Sequence, residues 1–166
     1  SRITTIYEGT TGIQANDLLF RKLMRDQGAT ARVVFGEIAT TAKALAASPR
    51  PELQAIAQRL GDALQAWVKA TEWLAANAKT GLSGVLTAAV PYLHLAVTVS
   101  GGWFMGKAAL AAAAYLDQGA GDQTFYRAKI ATAHFYADQM LPLAAAYGET
   151  VRAGDAALAG IGDEVF

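Results

Sequence analysis

Between Lys79 and Lys107 the chain carries no formally charged residue. A stretch so long and so neutral has two folds open to it. It exceeds the ~20 residues that a helix needs to cross a bilayer. It also fits the central helix of a bundle, which is apolar all round because every side is covered. The content favours the second. Thr87, Pro91, His94, Thr98, Ser100 and the Gly101-Gly102 pair interrupt the run, and no aromatic belt flanks it. A buried helix, not a membrane span, is the expectation.

The rest of the chain agrees with a helical reading. Its 166 residues suffice for one domain with a real core. Alanine is abundant, β-branched residues are sparse and prolines number 4. No strand-like alternation, internal repeat or low-complexity tract is present. With 14 basic and 14 acidic residues, composition gives no case for nucleic-acid binding. The balance is uneven: basic residues lead up to Ser83 and acidic residues beyond it. Complementary faces within one bundle would account for that. The chain has no cysteine, hence no disulfide framework and no thiol chemistry, which fits a cytoplasmic location. No signal peptide precedes Ser1-Arg2-Ile3, and the chain is expected to begin inside a longer protein.

Five helices and a leading one follow from punctuation and period. Residues 1–9 read as an entry segment and loop. Thr11 and Gln14 form a Thr-x-x-Gln capping box, and Ala15, Leu19 and Leu23 line the helix behind it, with Phe20 and Met24 alongside. Gly28 supplies a left-handed turn. Thr30 starts the next helix, with Val34, Ile38, Thr41 and Leu45 at helical spacing, up to Ser48-Pro49. Pro51 opens a third helix. Leu53, Leu60, Trp67 and Leu74 are seven apart there, with Ile56, Leu64 and Thr71 between them, which is a bundle seam. The fourth helix runs from about Ser83 to Asp117 and bends near Pro91 or Gly101-Gly102. Asp122 caps the fifth, whose stripe is Tyr126, Ile130, Ala133, Ala137 and Met140. Pro142 kinks or restarts it. Gly154 closes the last helical stretch, and the glycine-dotted tail to Phe166 is expected to fray. The fold class is all-α: an antiparallel bundle of about four to five helices behind a motif loop and its helix.

That loop carries the chemistry. Tyr7-Glu8-Gly9-Thr10, within the run from Arg2 to Gln14, resembles the catalytic-glutamate motif of the FAD-dependent acyl-CoA dehydrogenases. Pro91-Tyr-Leu-His-Leu95, Gly101-Gly-Trp-Phe104 and Tyr126-Arg-Ala-Lys-Ile-Ala-Thr-Ala-His-Phe-Tyr136 resemble the extra C-terminal helical domain of a subgroup of that family. The resemblance implies that residues 1–27 end the flavin- and acyl-CoA-binding domain and that 28–166 form the extra bundle. It implies that Glu8 abstracts the α-proton of an acyl-CoA thioester. The backbone N–H of Glu8 and a ribityl hydroxyl of FAD would hold the thioester oxygen, and the β-hydride would pass to flavin N5. Gly9 would leave room for the substrate. Thr10, Thr11 and Gly12 would contact FAD. Many family members carry a larger polar residue where Gly12 stands, so only a backbone contact is expected there. The product would be a trans-2-enoyl-CoA, the electron acceptor an electron-transfer flavoprotein, and the full-length enzyme a homo-oligomer.

Outside the motif, Glu8 would read as an ordinary loop acid. A second reading also stands: a non-catalytic helical module for interaction or oligomerisation. On either reading this chain alone, lacking most of the flavin site, is expected to be inactive and to bind no FAD tightly. Arg21 and Lys22 read as a solvated face. His94 and His134 read as core or interface residues without carboxylate or cysteine partners at metal-ligand spacing, and no metal is expected. Trp67, Trp73 and Trp103 read as packing residues, and Gly102-x-x-x-Gly106 as a device for close helix approach.

Overall fold

The computed structural model describes residues 10–77 and 82–156. Within them every element is helical: α1 (Thr11–Asn16), a π-helical segment (Asp17–Leu23), α2 (Ala29–Ala46), α3 (Pro51–Asn77), α4 (Leu82–Asp117), α5 (Gln123–Gln139) and α6 (Leu143–Ala153). The last five pack together, and α1 with its π-helical continuation leads into them. There is no strand among the described residues.

The uncharged helix is the hub. α4 contacts every other element. Val85, Ala88, Ala89, Tyr92, Leu95, Ala96 and Val99 bury one turn after another, and Ala109, Ala112 and Ala113 continue the burial beyond Lys107. Residues 83–117 are long and apolar enough to cross a membrane, and half of that apolar window is buried inside the protein. Contact with five other helices accounts for the missing charge.

The seam on α3 is as the sevenfold spacing predicts. Leu53, Leu60 and Leu74 are fully buried, Trp67 nearly so, and Ile56 and Thr71 fill the positions between. Burying each such leucine contributes about 1.5–3 kcal/mol. Phe35 packs edge-on to Trp67 at 5.0 Å, tying α2 to the seam. The two glycines of Gly102-x-x-x-Gly106, one turn apart on the same side of α4, let different neighbours approach closely. A Cβ at Gly102 would lie 2.5 Å from Leu141, and one at Gly106 would lie 2.9 Å from Leu45.

The charge imbalance resolves into ion pairs between the halves. Arg50 meets Asp117 at 2.6 Å and Arg59 meets Asp138 at 3.3 Å. Both pairs are partly exposed, so each contributes at most about 1 kcal/mol.

Four local expectations are corrected. Thr11 does not cap α1: Thr10 holds the N-cap position without a side-chain cap bond, and Thr11 is already helical. No Thr-x-x-Gln box forms, because the turn starts one residue early. Thr30 does not start α2. The helix begins at Ala29, after Gln27 and Gly28 both take positive φ, and Asp26 does the capping. Its carboxylate accepts from Gly28 N–H at 3.0 Å, from Thr30 N–H at 2.9 Å and from the Thr30 hydroxyl. Met140 leaves the α5 stripe and is 39% exposed, while Leu141 is buried. The helix widens at its end, where Leu141 N–H reaches the Tyr136 carbonyl five residues back. That extra residue rotates Leu141 into the core. For the histidines, finally, the core half of the core-or-interface expectation does not hold. His94 is exposed and stacked on Tyr147 at 5.5 Å, and His134 has a carboxylate neighbour in Asp138 at 3.5 Å.

Other punctuation is as expected. Gly28 is left-handed (φ 78°) and its N–H returns to the Leu23 carbonyl. Pro51 opens α3. Asp122 caps α5 by accepting from Thr124 and Phe125 N–H. The chain restarts as α6 after Pro142, and Gly154 (φ 60°) closes it. The entry segment 1–9 and the tail 157–166 lie outside the described residues.

Candidate functional site

Of the residues assigned to chemistry, Glu8 and Gly9 lie outside the described residues. Thr10, Thr11 and Gly12 form the first turn of α1. Thr10 and Gly12 are exposed and Thr11 is half-buried. A Cβ built on Gly12 meets nothing within 4 Å. The turn is thus open on its outer side at Gly12. The inner side is fixed: Ala15 and Leu19 are fully buried against the bundle. The turn is anchored on its inner side and open on its outer side.

After Asn16 the α-helix widens into π-helical turns over Asp17–Leu23. Sequence period did not reveal this, because Ala15, Leu19 and Leu23 keep a spacing that α and π turns both satisfy. Such segments are rare and recur at functional sites. Here the widening sets Arg21 and Lys22 along an edge. Arg21 pairs with Asp17 at 2.7 Å and is largely exposed, as a solvated face should be.

Beneath that edge lies an open cavity of about 940 Å³, between the π-helical segment, α2 and α4. Trp67, Leu93, Ala96 and Val97 form its apolar lining, and Arg21, Lys22 and Arg25 stand on its rim. Neither Thr10, Thr11 nor Gly12 reaches it; the motif turn and the cavity sit at opposite ends of one helix. At the cavity's base is a polar chain. The Thr71 hydroxyl donates to the Trp67 carbonyl at 2.8 Å and lies 2.9 Å from the Tyr92 hydroxyl. Burial pushes the Tyr92 phenol above its ordinary value, while Thr71 and the Trp67 indole oppose that rise. The Trp67 Nε1–H is itself buried without a hydrogen bond of normal geometry. Sequence reading missed this base. Its one visible signal was a threonine at a seam position otherwise filled by aliphatic and aromatic residues.

A smaller cavity of about 470 Å³ lies between the start of α3 and α5, beside Arg50, Glu52, Arg127 and His134. Charges of both signs line it. No cluster of three or more potential metal ligands exists among the described residues.

Residues 34–161 match the family model described as acetyl-CoA dehydrogenase C-terminal like. The chain belongs to the acyl-CoA dehydrogenase C-terminal-like family. It is 44% identical over 141 residues to 3-methylmercaptopropionyl-CoA dehydrogenase of Ruegeria pomeroyi, covering 85% of this chain and 24% of that protein. It is 35% identical over 161 residues to the broad-specificity linear acyl-CoA dehydrogenase FadE5 of Mycobacterium tuberculosis, covering 93% of this chain and 26% of that protein. The chain therefore spans about a quarter of the length of the curated relatives it matches. The all-helical family domain is the bundle described above, and α1 with the π-helical segment precedes the matched stretch.

Proposed function

We propose that this chain is the C-terminal part of an FAD-dependent acyl-CoA dehydrogenase that converts an acyl-CoA thioester to a trans-2-enoyl-CoA. The observation that carries the reading is 44% identity across 85% of the chain to a dehydrogenase of this kind. The motif at the head of α1 supports it.

In this reading residues 1–27 close the flavin- and acyl-CoA-binding domain, and 28–166 form the additional bundle. Glu8 takes the α-proton onto its carboxylate, a task that desolvation on substrate binding favours by making the carboxylate more basic. The Glu8 backbone N–H holds the thioester oxygen as negative charge develops on it. Gly9 admits the acyl group by having no side chain. Thr10, Thr11 and the Gly12 backbone hold FAD, which when bound supplies the acceptor for the β-hydride. Gly12 fits that placement, since its outer side is clear. An electron-transfer flavoprotein receives the electrons, the assembled enzyme is a homo-oligomer, and its place is the cytoplasm.

This chain alone is inactive in this reading and does not retain FAD, because it supplies one edge of the site. The test is the natural gene product. Purified from its source, it should be about four times longer than this chain, carry stoichiometric flavin, and lose flavin absorbance when acyl-CoA is added anaerobically. A product of this chain's own length, without flavin, would instead support the non-catalytic helical module.

A further inference from the structure

The cavity under the π-helical segment has no part in the proposed chemistry. Its apolar lining continues along the outside of α4. Val90, Val97 and Phe104 are seven apart and are 36%, 62% and 60% exposed, on a helix whose opposite side is core. Exposed apolar residues at that interval are one half of a helix seam.

Two observations choose what completes it. Residues 11–23 precede the stretch matched by the family model, yet they already pack on α4. The cavity opens beside them and continues that contact. The rim adds a charge requirement. Asp17 is engaged by Arg21 and Asp26 by Thr30, whereas Lys22 and Arg25 make no ion pair among the described residues.

We propose that the cavity and the exposed α4 stripe seat an apolar segment, flanked by carboxylates, from the catalytic body of the longer dehydrogenase. The seat fastens the helical domain to that body. The inference rests on the proposed function for the identity of the body. The apolar walls exclude water around the segment, and Lys22 and Arg25 meet its acids at the edge, which fixes register more than it adds affinity.

The absence of cysteine gives a direct probe. Val97→Cys places a thiol on the seat, and Ala128→Cys places one on the exposed side of α5 as a control. Maleimide labelling, read by mass at the peptide that carries the introduced thiol, is compared between this chain and the full-length parent carrying the same substitution. In this chain both thiols should label at similar rates. In the parent the Val97→Cys thiol should label at least about tenfold more slowly and the control should not change, since access governs thiol reaction. Adding Lys22→Glu with Arg25→Glu in the parent should restore fast labelling. Leu93→Cys serves as a second probe should Val97→Cys fail to fold.

Equal labelling in chain and parent overturns the inference. So does protection already present in this chain, whether lost on dilution, which marks a second copy, or lost on delipidation, which marks a bound amphiphile. A parent whose flavin is reduced by acyl-CoA but whose Val97→Cys thiol stays accessible overturns the seat alone. A parent that protects the thiol but reduces no flavin overturns the dehydrogenase reading and supports the seat.

Discussion

Trp67 shows how much one residue joins. It fills a seam position on α3, packs against Phe35 of α2, and lines the cavity beside Tyr92 of α4. Trp67→Ala should lower stability by about 3–5 kcal/mol, read from denaturant melts. A negligible change would show that the seam is not packed as described. Tyr92→Phe removes only the hydroxyl facing Thr71. Its cost should be about 0.5–1.5 kcal/mol, because Thr71 keeps its bond to the Trp67 carbonyl. Asp26 adds a pH-dependent element. Bonds from the Thr30 hydroxyl and backbone, then from Gly28 and Ala29, hold its carboxyl below the ordinary value of 3.8. A lowered folded value means that the stabilisation is present above the unfolded value and is lost as pH falls through the folded one. The stability lead of the native chain over Asp26→Asn should therefore be flat near neutrality and shrink below about pH 3.9. A lead that grows on acidification would contradict the cap.

At the scale of elements, glycines separate contact from mere tolerance. Gly102 and Gly106 sit where neighbouring leucines leave no room, while Gly36 and Gly61 have nothing within 4 Å of a built Cβ. Gly102→Val should destabilise by about 1–3 kcal/mol through overpacking. Gly36→Ala or Gly61→Ala, in helix interiors, should stabilise by about 0.4–1 kcal/mol. Thermal melts of the three variants check both signs. The elements themselves were legible in the sequence wherever a periodic stripe met strong punctuation. Leu53 to Leu74 gave the seam, Asp122 the cap, and Pro51 and Pro142 the helix starts. What escaped was set by local competition. Asp26 outbid Thr30 because a carboxylate can serve two N–H groups and a hydroxyl at once. Leu141 replaced Met140 because one wide turn shifts the register. The π-helical segment was hidden behind apolar spacing that suits both windings. His134 has its partner four residues on, at Asp138, a pairing that a search for metal ligands passed over.

Taken whole, the molecule is a bundle held by its own core. It should show strong helical far-UV circular dichroism without any cofactor, and weak helical signal would contradict the fold. The site was legible only as a motif. Glu8 and Gly9 lie outside the described residues, and Thr10, Thr11 and Gly12 stand at the open start of α1. The cavity was not legible at all, since its walls come from the π-helical segment and α2 at the start of the chain and from α3 and α4 far beyond them. The central claim is that this chain carries the base of an acyl-CoA dehydrogenase. It is tested most directly by anaerobic stopped-flow bleaching of flavin in the full-length parent, native against Glu8→Gln. The account predicts that the variant retains FAD and binds acyl-CoA while flavin reduction slows by ~10²–10⁴. Near-native bleaching in Glu8→Gln would mean that another residue removes the proton.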